Sequence, residues 1–300
     1  MNILVIGSKG FIGSHCVEYF KSKNHIVFEA GISSNIDNPN YTQLNANNTN
    51  FDDLFTKNNI DWCINASGSA HVGFSFEKPD IDFELNVLNV HKLLVSIRTH
   101  QPACKFINFS SAAVYGNPEQ LPIKEESSKN PLSPYGFHKL QSEYLIKEYH
   151  RFFGLSTCSL RVFSAYGPGL KKQLFWDLYQ KMKQNPENIE IYGTGNESRD
   201  FIYIDDLVQA IEIIFTQSPF NGSAYNLSSG NETTIKSVVD LFYSYLNPNT
   251  KYNFNNMQKL GDPNNWQADI SELKKLGFET KTSLENGLLN TAYWLKNLQK

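Results

Sequence analysis

The fold is decided by a stretch near the start of the chain, Ile3-Leu4-Val5-Ile6-Gly7-Ser8-Lys9-Gly10-Phe11-Ile12-Gly13. The apolar run before Gly7 is too short for a helix, so it predicts a buried strand. After the glycines, apolar residues recur at helical spacing up to Asn24, which predicts a helix. Glycines in such a turn let the backbone approach a pyrophosphate, and the helix start offers free N–H groups and a positive dipole. We therefore predict a dinucleotide site at Gly7, Gly10, Phe11, Ile12 and Gly13, with a purely structural turn as the alternative.

The composition is that of an ordinary globular chain. Its 300 residues are 40% hydrophobic and 19% charged, which allows one large or two small domains with a substantial core. The net charge of −3 gives no reason to expect nucleic acid or an anionic membrane as a partner. No apolar run approaches a membrane span, and no secretion signal precedes the first strand. The four cysteines lack metal-ligand spacing, which predicts free thiols in a reducing cytoplasm and no metal site.

Strands and helices alternate through the first half of the sequence. Strand patterns occupy residues 25–30, 41–44, 61–66 and 105–109, and helix patterns occupy residues 51–57, 81–99 and 135–153. This alternation predicts an α/β fold with a doubly wound, Rossmann-like parallel sheet. Ligands of such sheets sit at the carboxyl ends of the strands. The small residues Ala66, Ser67 and Gly68 follow a predicted strand and would allow that close approach.

The residues that should choose between NAD and NADP are indecisive. An acidic residue about 20 positions beyond the glycines bonds the adenine ribose of NAD, and a basic residue there accepts a 2′-phosphate. Here Glu29 is as well explained as a strand residue, and Ser33 and Ser34 can bond either cofactor. Both cofactors stay open, with NAD slightly favoured.

Asn86 interrupts the apolar pattern of the helix predicted over residues 81–99. A buried asparagine needs a hydrogen-bond partner. Neighbouring backbone and a bound cofactor are equally good candidates for that partner.

A second polar stretch lies between residues 106 and 139. Ser111 ends an apolar strand, and Ser133-Pro134 is a good start for a helix. Tyr135 should then lie in the first turn, with Lys139 one turn on along the same face. A nearby cation and a helix N-terminus both favour phenolate, so we expect Tyr135 to exchange protons near neutrality. Taken alone, a Tyr-x-x-x-Lys spacing is more often structural.

Five motifs in order resemble those of the extended short-chain dehydrogenases/reductases of the nucleotide-sugar epimerase/dehydratase family. They are Gly7-x-x-Gly10-x-x-Gly13, Ser110-Ser111-Ala112-Ala113-Val114-Tyr115-Gly116, Tyr135-x-x-x-Lys139, Leu160-Arg161-Val162-Phe163-Ser164-Ala165-Tyr166-Gly167-Pro168-Gly169 and Arg199-Asp200-Phe201-Ile202-Tyr203-Ile204-Asp205-Asp206-Leu207. The resemblance covers nearly the whole chain.

The resemblance implies a role for each matching residue. Tyr135 would transfer the proton of a sugar hydroxyl, Lys139 would hold the nicotinamide ribose, and Ser111 would bond the reacting oxygen. The implied cofactor contacts are Asn45, Ala46, Ala66, Ser67 and Gly68. The implied contacts with a nucleotide-diphosphate sugar are Ser111, Ser164, Gln173, Arg199, Lys259 and Asp262. Lys171 and Lys172 are further candidates for the diphosphate, although surface lysines are commoner.

The resemblance also implies how the chain is organised. Residues 1–163, joined by about 203–230, would form the dinucleotide-binding domain. Residues 164–202 and 231–300 would form a smaller, interleaved substrate domain. Family members commonly dimerise through the helices that correspond to residues 81–99 and 135–153, which implies a homodimer.

Two departures from the family pattern narrow the function. Dehydratases carry Asp-Glu where this chain has Ala112-Ala113, and alanine cannot transfer a proton. Ser164 stands where many relatives carry an asparagine that contacts the diphosphate. An NAD(P)-dependent epimerase acting at a sugar carbon, usually C4, is the main hypothesis. A nucleotide-sugar oxidoreductase such as a 4-ketoreductase is the alternative, and a non-catalytic cofactor-binding protein is a more remote one.

Overall fold

A computed structural model describes residues 1–34, 37–45, 49–257 and 259–298. Its strands are β1 (Asn2–Ile6), β2 (Ile26–Gly31), β3 (Tyr41–Gln43), β4 (Trp62–Asn65), β5 (Lys105–Ser111), β6 (Thr157–Val162), β7 (Ser164–Tyr166), β8 (Ile189–Ile191), β9 (Ser198–Tyr203), β10 (Asn221–Leu227), β11 (Glu232–Thr234) and β12 (Tyr252–Phe254). Seven of these strands form one sheet in the order β10-β6-β5-β4-β1-β2-β3, and every neighbouring pair is parallel. The expected α/β class with a Rossmann-like parallel sheet is confirmed.

The helices are α1 (Phe11–Ser22), α2 (Asp52–Thr56), α3 (Val72–Glu77), α4 (Pro79–Phe83), α5 (Asn89–His100), α6 (Pro134–Phe153), α7 (Gln173–Gln184), α8 (Ile204–Gln217), α9 (Ile235–Leu246), α10 (Ser271–Lys275) and α11 (Leu284–Asn297). The helix expected over residues 81–99 differs in detail. A π-helical segment, Glu84–Leu88, separates α4 from α5. Such widened turns occur frequently at functional sites, and this one contains Asn86.

The large sheet is covered by helices on both faces. Along β1, Ile3 and Val5 belong to the core shared with α1 and α8, whereas Leu4 and Ile6 belong to the core shared with α2 and α5. This alternation follows from the two-residue period of a strand, and burial on both faces explains why β1 is continuously apolar. The crevice for a ligand therefore opens at the carboxyl edge, where the strand order reverses between β1 and β4.

Two small sheets lie outside the large one. Strands β11, β9 and β7 form a three-stranded sheet, and β12 pairs with β8. Between β9 and β11 the chain returns to the large sheet. There α8 packs against α1, and β10 pairs with β6. Residues between about 203 and 230 therefore lie on the large sheet, and the division of the chain into a cofactor domain and a substrate domain stays a prediction.

Two charged residues from the sequence motifs hold this architecture together. The Arg161 guanidinium is 1% exposed and donates to both carboxylate oxygens of Glu143, at 2.8 and 2.6 Å, and to the Tyr115 hydroxyl at 2.7 Å. Asp200 is fully buried and accepts backbone N–H bonds from Ser229, Gly230 and Ala268. Both are satisfied by hydrogen bonds, as buried charges must be.

The part of the chain described contains no helix long and apolar enough to cross a membrane.

Candidate active site

The glycine-rich turn joins the ends of three strands. The Gly7 N–H donates to the Ala30 carbonyl at 2.8 Å. Gly7 has a φ of +79°, and a Cβ there would lie 2.6 Å from the Ala66 carbonyl oxygen. A Cβ on Gly13 would lie 2.2 Å from the Gly7 oxygen, so glycine at position 13 lets α1 approach the turn. Helix α1 has no side-chain cap at Gly10, so the amides of its first turn can face a phosphate.

Buried polar atoms without partners surround this turn. Ser8 is 2% exposed and Asn86 is 1% exposed. The Ser8 hydroxyl and both amide atoms of Asn86 find no hydrogen-bond partner among the described residues. The Asn86 amide lies against Gly68, where a Cβ would come within 2.6 Å of its Oδ1. The backbone alternative for Asn86 is therefore wrong. Orphaned buried polar groups beside a phosphate-binding turn fit a dinucleotide, whose polar groups would satisfy them.

Two of the residues expected to contact the cofactor lie beyond the ends of β2 and β3. Ser33 is exposed, and its carbonyl accepts a hydrogen bond from the Tyr41 hydroxyl. Asn45 is exposed just beyond β3, and its carbonyl accepts from the Thr49 hydroxyl at 3.0 Å. Ala46 lies outside the described residues.

The Glu29 carboxylate is occupied by neighbouring side chains. Its carboxylate is 4% exposed and binds Lys21 and Asn38, both at 2.8 Å. Its interpretation as a strand residue is confirmed. The position at the end of β2 is Gly31, which carries no side chain.

Ser111, Tyr135 and Lys139 lie together at the carboxyl ends of β5 and β6. The Ser133 hydroxyl caps α6 by accepting the Gly136 N–H at 3.1 Å, which places Tyr135 in the first turn as expected. The Ser111 side chain hydrogen-bonds Tyr135. The Lys139 ammonium lies 5.8 Å from the centre of the Tyr135 ring and donates to the Phe109 carbonyl at 2.9 Å. The structure thus brings the three side chains together.

The pKa values of Tyr135 and Lys139 are both shifted, and that of Tyr135 is shifted in the direction opposite to the one expected. Burial raises the pKa of Tyr135 to about 12, the Ser111 hydrogen bond lowers it, and the charge of Asp82 raises it. Burial lowers the pKa of Lys139 to about 8, against an opposing effect of Asp82. The expected lowering of the Tyr135 pKa is therefore wrong for the protein without ligands. Removing water from both groups outweighs their mutual attraction.

A series of hydrogen-bonded side chains connects the end of β4 with α6. Ser67 donates to Asn65 at 2.5 Å, Asn65 donates to Asn108 at 2.9 Å, and Asn108 donates to the Ser142 hydroxyl at 3.2 Å. Ser142 then donates to the Lys139 carbonyl at 2.7 Å. The series connects the end of β4, where Ala66, Ser67 and Gly68 follow, to the turn of α6 that carries Lys139.

The residues expected to bind the substrate differ in the contacts that they make. Arg199, on β9, lies close to Asp262, whose charge raises the Arg199 pKa against the stronger lowering effect of burial. Its guanidinium stacks 5.5 Å from the Trp266 ring centre. Ser164 begins β7, Gln173 begins α7, and Lys259 is exposed. Within the described ranges, no hydrogen bond connects these last three residues to the catalytic group.

Lys172, one of the two lysines considered for the diphosphate, has an electrostatic effect on Lys139. The residue is exposed, yet the surrounding protein lowers the pKa of its ammonium. Its positive charge in turn contributes to the lowered pKa of Lys139.

Ser8, buried in the glycine-rich turn, was not predicted from the sequence, because an isolated serine within such a turn carries no signal of its burial.

These features define a Rossmann-like enzyme that binds a nicotinamide dinucleotide. A sequence model of the NAD dependent epimerase/dehydratase family matches residues 3–228. The chain belongs to this family.

Similar proteins cover essentially all of the chain. YtcB of Bacillus subtilis, described as an uncharacterized UDP-glucose epimerase, is 30% identical over 320 residues, which span 99% of each chain. The UDP-glucose 4-epimerase of Thermotoga maritima with UDP-glucose superimposes with a TM-score of 0.91 at 26% identity and covers 100% of both chains. The UDP-glucuronic acid 4-epimerase of Bacillus cereus, in complex with UDP-glucuronic acid and NAD, gives a TM-score of 0.89 at 26% identity and covers 99% of this chain and all of that one.

Proposed function

We propose that this enzyme is a nucleotide-sugar epimerase that inverts one sugar carbon, C4, through transient oxidation of its hydroxyl. The observation that carries the proposal is the grouping of Ser111, Tyr135 and Lys139 beside a glycine turn whose polar atoms await partners. All three similar proteins named above are UDP-sugar epimerases by name, so we propose a uridine diphosphate sugar as substrate.

Each catalytic residue has a distinct task. Tyr135 accepts the proton of the sugar hydroxyl during oxidation and returns it during reduction. Ser111 holds the reacting oxygen by a hydrogen bond, and Lys139 holds the ribose and stabilises negative charge on the phenol oxygen. When bound, the nicotinamide cofactor supplies hydride acceptance and return. Bound ligands replace water around these groups, so the charges act at full strength only in the loaded site.

The residues after Ser111 argue against dehydration. Ala112 is fully buried in a short 3-10 turn, Ala112–Val114, and a Cβ on Gly136 would lie 2.6 Å from the Ala113 carbonyl oxygen. The start of α6 therefore packs directly on this turn. Neither alanine offers an acid or base, so the site retains oxidation and reduction without a group for eliminating water. A 4-ketoreductase is the second candidate, since it needs the same three residues.

We propose that residues 1–163 with 203–230 hold the cofactor, and that residues 164–202 and 231–300 hold the substrate. Arg199 suits a diphosphate, because a guanidinium forms paired hydrogen bonds with phosphate oxygens. Asp262, close to Arg199, would accept hydrogen bonds from the nucleotide ribose. Ser164, Gln173 and Lys259 complete the proposed substrate contacts, and we add Lys172 on account of its effect on Lys139. The proposed cofactor contacts are Gly7, Gly10, Phe11, Ile12, Gly13, Ser33, Asn45, Ala46, Ala66, Ser67, Gly68, Asn86, Tyr135 and Lys139.

NAD is the proposed cofactor, and we expect NADP to bind as well. The Lys9 ammonium lies 5.5 Å from the centre of the Tyr41 ring, next to Ser33, at the end of β2 where Gly31 leaves no carboxylate. A 2′-phosphate would meet a cation there. We expect Lys9→Ser to weaken NADP binding by roughly ten- to a hundredfold, the effect of one charged contact, and to leave NAD unchanged. Calorimetric titration with both cofactors measures this, with Lys23→Ser as control; equal loss for both cofactors would contradict it.

Tyr135→Phe tests the catalytic assignment. We expect the variant to fold and bind NAD while its turnover falls by about 10²- to 10⁴-fold, the usual contribution of a proton-transferring group. The assay is interconversion of UDP-glucose and UDP-galactose, followed by chromatography of the sugars. Near-wild-type turnover by the variant would reject the proposal.

A second assay separates the two enzyme hypotheses. An epimerase interconverts two UDP-sugars with no net change in nicotinamide absorbance. A nucleotide 4-keto-sugar that consumes NADH or NADPH stoichiometrically would instead establish a ketoreductase.

We further propose a cytoplasmic homodimer active in carbohydrate biosynthesis. All four cysteines are free and buried, which suits a reducing compartment. The surface of α5 and α6 exposes large apolar side chains, including Val95 at 42% and Tyr144 at 61%. A second copy of the chain would cover them.

A further inference from the structure

Trp266 connects the start of β9 with the loop that follows β5. Its backbone N–H donates to the Ser198 carbonyl at 3.1 Å, and its indole N–H donates to the Gly116 carbonyl at 3.0 Å. The indole also packs edge-on against Phe163, with ring centres 5.8 Å apart at 70°. The half-buried ring is therefore held in one orientation by contacts with two separate parts of the chain.

The guanidinium of Arg199 lies over this ring, 5.5 Å from its centre. Its Nη1 donates to the Ser198 carbonyl at 2.8 Å and to the Asn264 carbonyl at 3.1 Å. Among the described residues, no carboxylate forms an ion pair with this guanidinium, and no acceptor bonds its Nε or Nη2. The donors of Nε and Nη2 are thus available to an anion.

Packing alone does not require a tryptophan at position 266. An aliphatic side chain would also cover Phe163, and it would need no acceptor for an indole N–H. A tryptophan face, however, attracts a cation more strongly than any other side-chain ring. An arginine side chain has many rotamers, and restricting it when a ligand binds costs affinity. A ring that is itself fixed restricts Arg199 before the ligand arrives.

We propose that Trp266 is a positioning residue that holds the Arg199 guanidinium in the orientation that binds the substrate diphosphate. This inference rests on the proposed role of Arg199 as a diphosphate contact. The ring attracts the cation without using its hydrogen-bond donors, which a carboxylate partner would occupy. The donors of Nε and Nη2 then remain for phosphate oxygens. Trp266 thus raises substrate affinity and takes no part in proton transfer.

The experiment measures the affinity of Trp266→Leu for UDP by calorimetric titration in the presence of saturating NAD. Leucine retains an apolar side chain but offers neither a ring face nor an N–H donor. We expect UDP affinity to fall roughly three- to thirtyfold, the range of a cation–π contact. The KM for UDP-glucose should rise by a similar factor, while kcat and NAD affinity change much less. A purely structural role would instead reduce the fraction of active protein and leave its UDP affinity unchanged.

Two further variants serve as controls. Trp266→Phe keeps a ring face below the guanidinium and should retain most of the wild-type UDP affinity. Trp294, on α11, is also a half-buried tryptophan, but its ring packs against Trp176, with centres 6.3 Å apart. Trp294→Leu should therefore leave UDP affinity unchanged. If Trp266→Leu unfolds, as seen by circular dichroism, Trp266→Met removes the ring with a more adaptable side chain.

Arg199→Gln tests whether Trp266 acts through the guanidinium. This variant should bind UDP more weakly than the wild type. Adding Trp266→Leu to it should cause no further loss, because the ring then has no cation to hold. An equal loss from Trp266→Leu in both backgrounds would overturn the inference, and so would an unchanged UDP affinity in folded Trp266→Leu.

The outcomes distinguish this inference from the proposed function. Weaker UDP binding by Trp266→Leu in an enzyme that interconverts no UDP-sugars supports the role of Trp266 and rejects the epimerase. Interconversion of UDP-glucose and UDP-galactose, with the same UDP affinity in Trp266→Leu, rejects only the role of Trp266. A wild-type enzyme with no affinity for UDP rejects both.

Discussion

Lys139 places a positive charge at a position that is only 5% exposed. Burial lowers its pKa from 10.5 to about 8, a difference that corresponds to a penalty of about 3 kcal/mol. A single carbonyl, that of Phe109, receives its hydrogen bond among the contacts described. In the unfolded chain the same ammonium is hydrated at no such cost. Lys139 thus reduces the stability of the ligand-free protein.

We expect Lys139→Met to stabilise the ligand-free enzyme at pH 7 by about 1–3 kcal/mol, with loss of activity. The folded-state pKa lies below the unfolded one, so the unfolded state binds more protons between pH 8 and 10.5. Wild-type stability therefore rises with pH in this window. The advantage of the variant should shrink as pH rises from 7 to 9.5, as measured by urea unfolding at several pH values. A variant that is less stable at pH 7 would contradict this reasoning.

Residue types and spacing predicted that Tyr135 and Lys139 share one face of a helix, because that placement depends on a single helical turn, and the structure has them so. The direction of the Tyr135 pKa was not predictable in this way, since it depends on how much water the fold removes.

At the scale of elements, local signals located the helix that matters most. Ser133 and Pro134 mark the start of α6, and Gly154, with a φ of +71°, ends it. The π segment around Asn86 was not predicted, because one inserted residue barely changes an apolar period. Strands β7, β8, β11 and β12 have three residues each, which is too few to show a two-residue alternation in the sequence. Each is defined by its hydrogen bonds to a neighbouring strand.

For the whole molecule, the proposed dimer predicts a change in mass. Val95 on α5 and Tyr144 on α6 are large and exposed, and the two helices pack side by side. We expect the double variant Val95→Glu, Tyr144→Glu to sediment as a monomer, because buried like charges oppose association. Tyr293→Glu on α11, where Tyr293 is 70% exposed, should leave the dimer intact. A wild-type enzyme that is monomeric at micromolar concentration would refute the dimer.

Strand β10 completes the large sheet from far along the chain, and this has a consequence during synthesis on the ribosome. Strand β10 pairs with β6, and the side-chain oxygen of Asn226, near the end of β10, accepts a hydrogen bond from the Tyr115 hydroxyl. Until residue 227 has left the exit tunnel, β6 remains an open edge, and the Tyr115 that Arg161 contacts lacks this acceptor. An unpaired edge invites association with neighbouring nascent chains. Translation pauses shortly before residue 221 should therefore lower the yield of folded protein more than pauses placed after residue 230.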